Sequence, residues 1–381
     1  MTKTDIAIIG LGITSKLTAL ALAKGTRKVA IYGDENSKIN SSNLVTFFST
    51  SSLSFLEDLG IKDLINQFDK INEISCSKLE NYRSNGKFQI NFNSENNDLG
   101  RVIINSKLND ELDKQIKKNK NIVIISKIKI TDFQYEEAES VLYLENGDKI
   151  LTKLLIIADK KSHVIKKYFK DNIIKKDLNQ TSVVLDATVE TNNHAYQFFT
   201  KKGALALLPT DKNNASIIWS LENNVLELEY SIENFSNEIN KIFRDVTGFI
   251  EIKNLQKYKL NFEFAKRISS NSIILIGDAA HSLHPIAGQG LNLSIKDIVE
   301  LKNKINKFKY LGYSLGNSLS LAEYENARQN DNTIYTFATN YLDEILKNRN
   351  YVVNTISNLG INAINKSSTL KKMIIKSATG Q

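Results

Sequence analysis

The sequence predicts an α/β fold: a parallel sheet with an inserted antiparallel sheet and a helical C-terminal tail. Three observations predict it. An apolar strand meets a glycine-rich turn at 6–12, strand-like runs separated by turn residues fill 181–221, and a second apolar strand at 272–276 enters a glycine-punctuated loop. Short apolar runs that end in such turns are typical of strands buried on both faces.

The first strand and turn follow the pattern of a dinucleotide-binding βα unit. Ile6–Ile9 forms the strand, Gly10 makes the turn, and Gly12 lets a pyrophosphate approach the backbone. Ser15 stands where the third glycine is usual, and a helix is predicted over Lys16–Lys24. Taken alone, the same residues are equally consistent with an ordinary βα turn.

In such a unit, the acidic residue that hydrogen-bonds the ribose hydroxyls is expected about twenty residues after this turn. The second predicted strand, Lys28–Tyr32, ends at Gly33, where a glutamate is usual. The carboxylate comes one residue later, at Asp34. Asp34 is therefore the predicted ribose ligand.

The most specific motif runs from Gly277 to Leu293. Asp278 follows the strand Ser272–Ile276, at the end of the sheet where α/β proteins bind ligands, and its carboxylate can accept hydrogen bonds from hydroxyls. Pro285 stiffens the loop, and Gly288 and Gly290 allow a planar ligand to approach the backbone. A helix from about Gln289 directs its N-terminal N–H groups back toward this loop.

These seventeen residues, GDAAHSLHPIAGQGLNL, closely resemble the second flavin motif of the single-component FAD-dependent aromatic hydroxylases, the para-hydroxybenzoate-hydroxylase-like family, and its ubiquinone-biosynthesis branch in particular. The resemblance implies a Rossmann-like FAD-binding domain. The cofactor-binding residues that we predict from it are Gly10, Gly12, Ser15, Asp34, Asp278, Pro285, Gly288, Gln289, Gly290, Leu291 and Asn292.

The resemblance also implies a reaction. The family is expected to reduce bound FAD with NAD(P)H and to add O2, so that a flavin C4a-hydroperoxide hydroxylates the aromatic ring of a polyprenylated phenol. The cofactor carries that chemistry, and the sequence identifies no catalytic acid or base. Three alternatives stay open: a non-catalytic flavoprotein or scaffold of a membrane-associated quinone-biosynthesis protein complex, a different FAD-dependent reaction on a polyprenyl chain, and nucleic-acid binding.

The sequence departs from the family after another apolar strand, Leu154–Ala158. Asp159 is retained, but Lys160 stands in the glycine position, His163 in the usual serine position and Lys166 in the usual arginine position. The resemblance places this segment near both the flavin and the nicotinamide donor. The basic residues either meet a pyrophosphate or are three solvated charges.

We expect the domains to be interleaved. FAD-binding segments are predicted at 1–75, 101–172 and 266–317, substrate-domain segments at 76–100 and 173–265, and C-terminal helices at 318–381. Apolar residues of the inserted sheet can line a substrate pocket or form ordinary core. The candidates are Phe199, Leu205, Leu207 and Trp219.

Composition sets further bounds. The single cysteine, Cys76, excludes disulfides. The pair His281 and His284 has no acid nearby in sequence beyond Asp278, so no metal site is expected. The net charge of +8 is spread along the chain, so nucleic acid is not expected as a partner. We expect a cytoplasmic protein without signal peptide or membrane span. Basic charge, including that of the tail segment Leu370–Lys376, is compatible with peripheral binding to the membrane surface.

Overall fold

Three sheets organise the chain in the computed structural model of the protein. The structure describes residues 2–33, 44–93, 98–136, 139–226, 231–282 and 290–347, with side chains up to residue 334 except at Thr2 and Lys166. Within these residues the strands are β1 (Thr2–Ile9), β2 (Val29–Gly33), β3 (Val45–Ser49), β4 (Lys70–Ile71), β5 (Glu73–Lys78), β6 (Ile90–Asn93), β7 (Gly100–Ile104), β8 (Ile122–Ser126), β9 (Ile130–Gln134), β10 (Ser140–Leu144), β11 (Lys149–Ile157), β12 (Ile173–Thr188), β13 (His194–Thr200), β14 (Gly203–Asp211), β15 (Asn214–Glu222), β16 (Glu251–Ala265), β17 (Ser269–Ser270), β18 (Ile273–Leu275) and β19 (His281–Ser282).

The helices connect these strands or cover them. They are α1 (Ile13–Leu22), α2 (Thr50–Asp58), α3 (Lys62–Ile65), α4 (Leu79–Asn85), α5 (Asn105–Lys118), α6 (His163–Tyr168), α7 (Asn223–Leu226), α8 (Ile232–Thr247), α9 (Gly290–Tyr310) and α10 (Ser318–Lys347). Helix α1 begins at Ile13, three residues earlier than predicted, because Gly12 already takes the extended N-cap conformation. The tail segment Leu370–Lys376 lies outside the described residues.

The first sheet is mostly parallel. Its order is β17-β18-β11-β1-β2-β8, with the β9-β10 hairpin added alongside β11. The central strands are apolar and fully buried, as at Ile6, Ile8 and Leu154. The run of apolar residues therefore predicts this sheet correctly, since both of its faces are covered.

The second sheet is antiparallel apart from the parallel pairing of β5 with β13, and its order is β19-β16-β12-β15-β14-β13-β5-β6. One face packs against α8, where Phe235 and Phe243 are fully buried. The opposite face meets the third sheet, β3-β7-β4, through an apolar cluster that includes Val45 and Leu208. The predicted α/β fold with an inserted antiparallel sheet is thus confirmed.

Three of the four predicted pocket residues lie on one face of the second sheet. Leu205, Leu207 and Trp219 are fully buried in the cluster with α8, so they are core. Their strand neighbours, such as Ala206 and Ile218, point to the other face. This follows from the two-residue repeat of a strand.

Because neighbouring residues of β15 face opposite sides, truncating them should have different costs. We expect Ile217→Ala, which empties a fully buried position against α8, to lower the free energy of unfolding by about 2–5 kcal/mol. Ile218→Ala should cost clearly less, since Ile218 is half-buried. Urea unfolding of both variants checks this, and equal losses would contradict the assignment of faces.

Among the described helices, none is long and apolar enough to cross a membrane.

Candidate FAD-binding site

Three turns meet at one edge of the parallel sheet. Strands β1, β11 and β18 are parallel neighbours, and Ile9 pairs with Ile157, which in turn pairs with Leu275. The chain segments that follow these residues therefore emerge side by side. They carry Gly10 and Asp278 into the same cleft.

The cleft has a volume of about 450 Å³. One side is formed by the three turns and by the first residues of α1 and α9, and the other by β3, the start of α5 and the second sheet. Its lining residues are Gly10, Leu11, Gly12, Ile13, Thr14, Ser15, Leu44, Val45, Thr46, Asn105, Ala158, Asp159, Ser182, Val184, Ile218, Asp278, Ser282, Gly290 and Leu291.

The first turn needs its glycines for two different reasons. Gly10 has φ +124°, and a Cβ there would lie 2.9 Å from the Ser15 hydroxyl and 3.2 Å from the Asp159 Cβ. A side chain at Gly10 is therefore excluded by the protein itself. At Gly12 a Cβ would meet no atom of the described residues within 4 Å, so among them the space beside Gly12 is open to a ligand.

The first turn of α1 is suited to an anion. Gly12 is its N-cap and supplies no side-chain acceptor, so the helix N-terminus is not capped from within. Backbone N–H groups at such an end, together with the helix dipole, bind phosphate groups. Helix α9 also begins at the cleft, at Gly290, where an added Cβ would again meet none of the described atoms within 4 Å.

The second predicted ligand group, the Asp278 carboxylate, lines the same cleft. Asp278 belongs to a short 3-10 turn, Gly277–Ala279, and its exposed side chain lines the cleft. Gly277 has φ +55°, and a Cβ on it would come within 2.8 Å of the Ser294 hydroxyl. The turn is therefore held tightly between α1 and α9, while its carboxylate stays accessible.

Of the remaining predicted cofactor ligands, one lines the cleft, one is buried, and four lie outside the described residues. Leu291 lines the cleft. The side chain of Asn292 is buried: its amide donates to the Phe47 carbonyl at 2.6 Å, and its oxygen accepts from the Ser49 N–H at 3.1 Å. Asn292 thus ties α9 to β3. Four predicted ligands, Asp34, Pro285, Gly288 and Gln289, lie outside the described residues.

Several lining residues were not predicted from the sequence. Leu44, Val45, Ser182 and Val184 give the cleft an apolar wall with a serine hydroxyl, and Ile218 extends it. Thr46 donates a hydrogen bond to the Asn105 side chain at 2.9 Å, so a polar pair also faces the cleft. Strand alternation could have suggested which β12 residues share a face, but not what that face meets.

A smaller cavity of about 220 Å³ adjoins the first two turns. It is lined by Ile9, Tyr32, Gly33, Ile128, Lys129, Ile130, Asp159, Lys161, Ser162 and His163. Burial raises the pKa of Tyr32 to about 12, so its phenol stays neutral. This is the end of the parallel sheet at which β2 stops, where the adenosine half of a dinucleotide is expected.

The absence of an acid at position 33 has a steric cause. A Cβ on Gly33 would lie 2.6 Å from the Leu11 Cγ. The space that a glutamate side chain would need at this position is therefore taken by Leu11. The predicted ribose ligand is the next residue, Asp34, which lies outside the described residues.

The basic residues that follow β11, where the sequence departs from the family pattern, have two different surroundings. Lys160 donates a hydrogen bond to the Ser282 hydroxyl at 2.9 Å, which ties it to the loop that begins the flavin motif. Lys161 and His163 line the smaller cavity instead. Lys160 is thus neither free nor simply solvated, and the side chain of Lys166 lies outside the described residues.

The cleft combines two helix starts, an accessible carboxylate and open space beside two glycines. These features define a protein that binds an adenine dinucleotide. A family model described as FAD binding domain matches residues 3–329. The chain belongs to this FAD-binding family. The residues present fit FAD, since Gly12 and Gly290 leave room for it at both helix starts.

Curated relatives match nearly the whole chain. The ubiquinone hydroxylase UbiL of Rhodospirillum rubrum is 25% identical over 390 residues, covering 99% of this chain and 89% of the relative. The mitochondrial ubiquinone biosynthesis monooxygenase COQ6 of Mus musculus is 26% identical over 390 residues, covering 89% of this chain and 81% of the relative.

Solved structures share the fold. The p-nitrophenol 4-monooxygenase PnpA of Pseudomonas putida DLL-E4 superposes with a TM-score of 0.77 at 16% identity, covering 100% of this chain and 99% of the other. HpxO of Klebsiella pneumoniae, in complex with FAD and uric acid, gives a TM-score of 0.74 at 14% identity, covering 99% and 96%.

Within the described residues, no group of three His, Cys, Asp or Glu side chains is arranged to hold a metal ion.

A side chain at Gly12 should fill the space kept for the cofactor. We expect Gly12→Val to weaken FAD binding roughly tenfold or more, a loss of at least about 1.4 kcal/mol, while the apoprotein keeps its melting temperature. Titration of apoprotein with FAD measures this. The control is Ser54→Val on the exposed side of α2, and wild-type affinity in Gly12→Val would refute the predicted cofactor position.

The contact between Gly33 and Leu11 predicts coupled substitutions. Gly33→Ala should lower the free energy of unfolding by about 1–3 kcal/mol, because the new methyl overlaps the Leu11 side chain. Leu11→Ala in the same chain should recover most of that loss. A double-mutant cycle by urea unfolding gives the coupling, and strictly additive effects would rule out the steric explanation.

Proposed function

We propose that the protein is an FAD-dependent monooxygenase that hydroxylates the aromatic ring of a polyprenylated phenol in ubiquinone biosynthesis. The observation that carries the proposal is the cleft itself. The three turns of the FAD-binding sheet face an apolar wall that includes Val184 and Ile218. A planar cofactor and an aromatic ring can therefore share this one cleft. The names of UbiL and COQ6 supply the substrate class.

The chain's own residues would hold the cofactor by its three polar parts. The N-terminus of α1, beside Gly12, would bind the pyrophosphate. Asp278 would accept hydrogen bonds from the ribityl hydroxyls, and the start of α9 at Gly290 would favour negative charge on the reduced ring system. When bound, FAD supplies the activation of O2, which no amino-acid side chain can perform alone.

The wall opposite the turns would orient the substrate. Val45, Val184 and Ile218 present apolar surface, which suits a phenol that carries a polyprenyl chain. The Thr46–Asn105 pair and Ser182 add hydroxyl and amide groups that can hydrogen-bond a phenolic oxygen. Their part is to position the ring and to exclude water, so no nucleophilic side chain is required.

The electron donor in the proposal is NAD(P)H. The phenol is a lipid, and the chain carries a net charge of +8, which is attracted to anionic membranes. We therefore propose that the protein works peripherally at the inner face of the cytoplasmic membrane, next to or within a quinone-biosynthesis protein complex.

The direct test is a product assay. Purified protein loaded with FAD is given NADH or NADPH, isotopically labelled O2 and a short-chain prenylated phenol, and the product is analysed by mass spectrometry. The proposal expects one labelled oxygen on the aromatic ring. Oxidation of NAD(P)H with release of hydrogen peroxide and no labelled ring would refute it, and would favour a scaffold or another flavin reaction.

A variant in the wall sharpens the assay. Ile218→Gln places an amide where the ring should pack, so the KM for the phenol should rise roughly tenfold while FAD affinity stays the same. The matched control is Ile174→Gln, an exposed isoleucine on β12. If both variants behave as wild type, the wall is not the substrate site.

A further inference from the structure

A buried carboxylate joins the ends of the Asp278 turn to the C-terminal helix. Asp297 lies on α9, two helical turns after Gly290, and is fully buried. Its Oδ2 accepts from the Gly277 N–H at 3.0 Å and lies 2.6 Å from His281 Nε2. Its Oδ1 accepts from Arg328 Nε at 2.8 Å.

The cluster is ionic although it is shielded from water. Burial by itself would raise the pKa of Asp297, but His281 and Arg328 lower it below its ordinary value, so the group is a carboxylate. The pKa of Arg328 is raised above its ordinary value because attraction to Asp297 outweighs the effect of burial. Both charges are therefore retained in the folded protein.

Stability alone is a weak explanation for such a pair. Removing two charges from water costs about as much as their attraction returns, and apolar residues of similar size often stabilise a core equally well. What ions provide and apolar residues do not is directional hydrogen bonding. The contacts of Asp297 are directional and reach both ends of the turn from Gly277 to His281.

The turn from Gly277 to His281 needs these hydrogen bonds from Asp297 to hold its position. Its only ligand group, Asp278, is exposed, and in the described part of the chain no hydrogen bond holds the Asp278 carboxylate. The backbone of the turn carries that carboxylate, so the position of the turn decides where the carboxylate lies in the cleft. Gly277 fixes one end, with Thr14 and Ser294 less than 3 Å from where a Cβ would be.

Arg328 is itself fixed on α10. It donates to Asn332 Oδ1 at 2.8 Å and to Asp331 Oδ2 at 2.8 Å. The same helix holds the preceding strands through Glu325, which accepts from the Ile268 N–H and from the Ser269 hydroxyl. Helix α10 therefore braces the segment from β17 to His281 at two separate points.

We propose that Asp297 and Arg328 are positioning residues for FAD: through His281 and the Gly277 N–H they fix the turn that presents Asp278 to the cofactor. The inference rests on the FAD site described above and goes beyond it, because it assigns cofactor affinity to a buried ion pair outside the cleft and to the C-terminal helix. Neither residue touches the cleft.

The test separates positioning from folding. The double variant Asp297→Asn/Arg328→Gln removes both charges, and Glu325→Gln is the control, because it loosens α10 from Ile268 and Ser269 but leaves the turn intact. Apoprotein melting temperature, FAD dissociation constant and the visible spectrum of bound flavin are measured for each. A second control, Glu323→Gln, weakens ion pairs between α10 and α9 that have no part in the Asp297 cluster.

The double variant should bind FAD roughly tenfold more weakly, by analogy with the loss of outer-shell partners at metal sites, and should alter the flavin spectrum. Both controls should bind FAD as wild type does, even if their melting temperatures fall. Wild-type affinity and spectrum in the double variant would overturn the proposal, whatever its stability.

If the double variant does not fold, His281→Gln decides in the same way. It removes one contact of Asp297 with the turn and leaves the Asp297–Arg328 pair in place. The outcome is independent of the proposed reaction, because FAD binding is measured without substrate. A wild-type protein that binds FAD but makes no labelled product would refute the hydroxylase and leave this inference open to the same test.

Discussion

The parallel pairing of β1, β11 and β18 is the constraint on which the rest of the site depends. Parallel strands end at the same edge of a sheet, so their carboxyl ends bring together turns that are separated by more than a hundred residues in sequence. Gly10 and Gly277 then let two of these turns pack against α1 and α9 without side chains. The cleft, its helix termini and its carboxylate all follow from that arrangement.

Local motifs were predictable and long-range contacts were not. Gly10, Gly12 and Asp278 could be predicted because each lies in a turn whose function depends on adjacent residues. The sequence leaves Trp219 open to either pocket or core, because the two-residue repeat of a strand separates its faces without telling which face meets the cleft. Contacts such as that of Asn292 with Phe47 join residues far apart in the chain, and no pattern in one sequence reports them.

The departures from the family pattern have local physical causes. Gly33 has no room for a side chain because Leu11 lies against it. Lys160, in place of a glycine, bonds to Ser282 on the loop of the flavin motif. Neither change closes the cleft or removes a helix terminus from it. The chain therefore keeps an open cleft with helix termini at its edge, although it departs from the family pattern at these two positions.

The visible absorption spectrum of the purified protein, with the released cofactor identified by chromatography, tests the central claim most directly. The account predicts a yellow protein that contains FAD, or an apoprotein that becomes yellow on reconstitution with FAD. A folded protein that stays colourless in excess FAD would contradict it. The N-termini of α1 and α9 and the Asp278 carboxylate would then not form an FAD site.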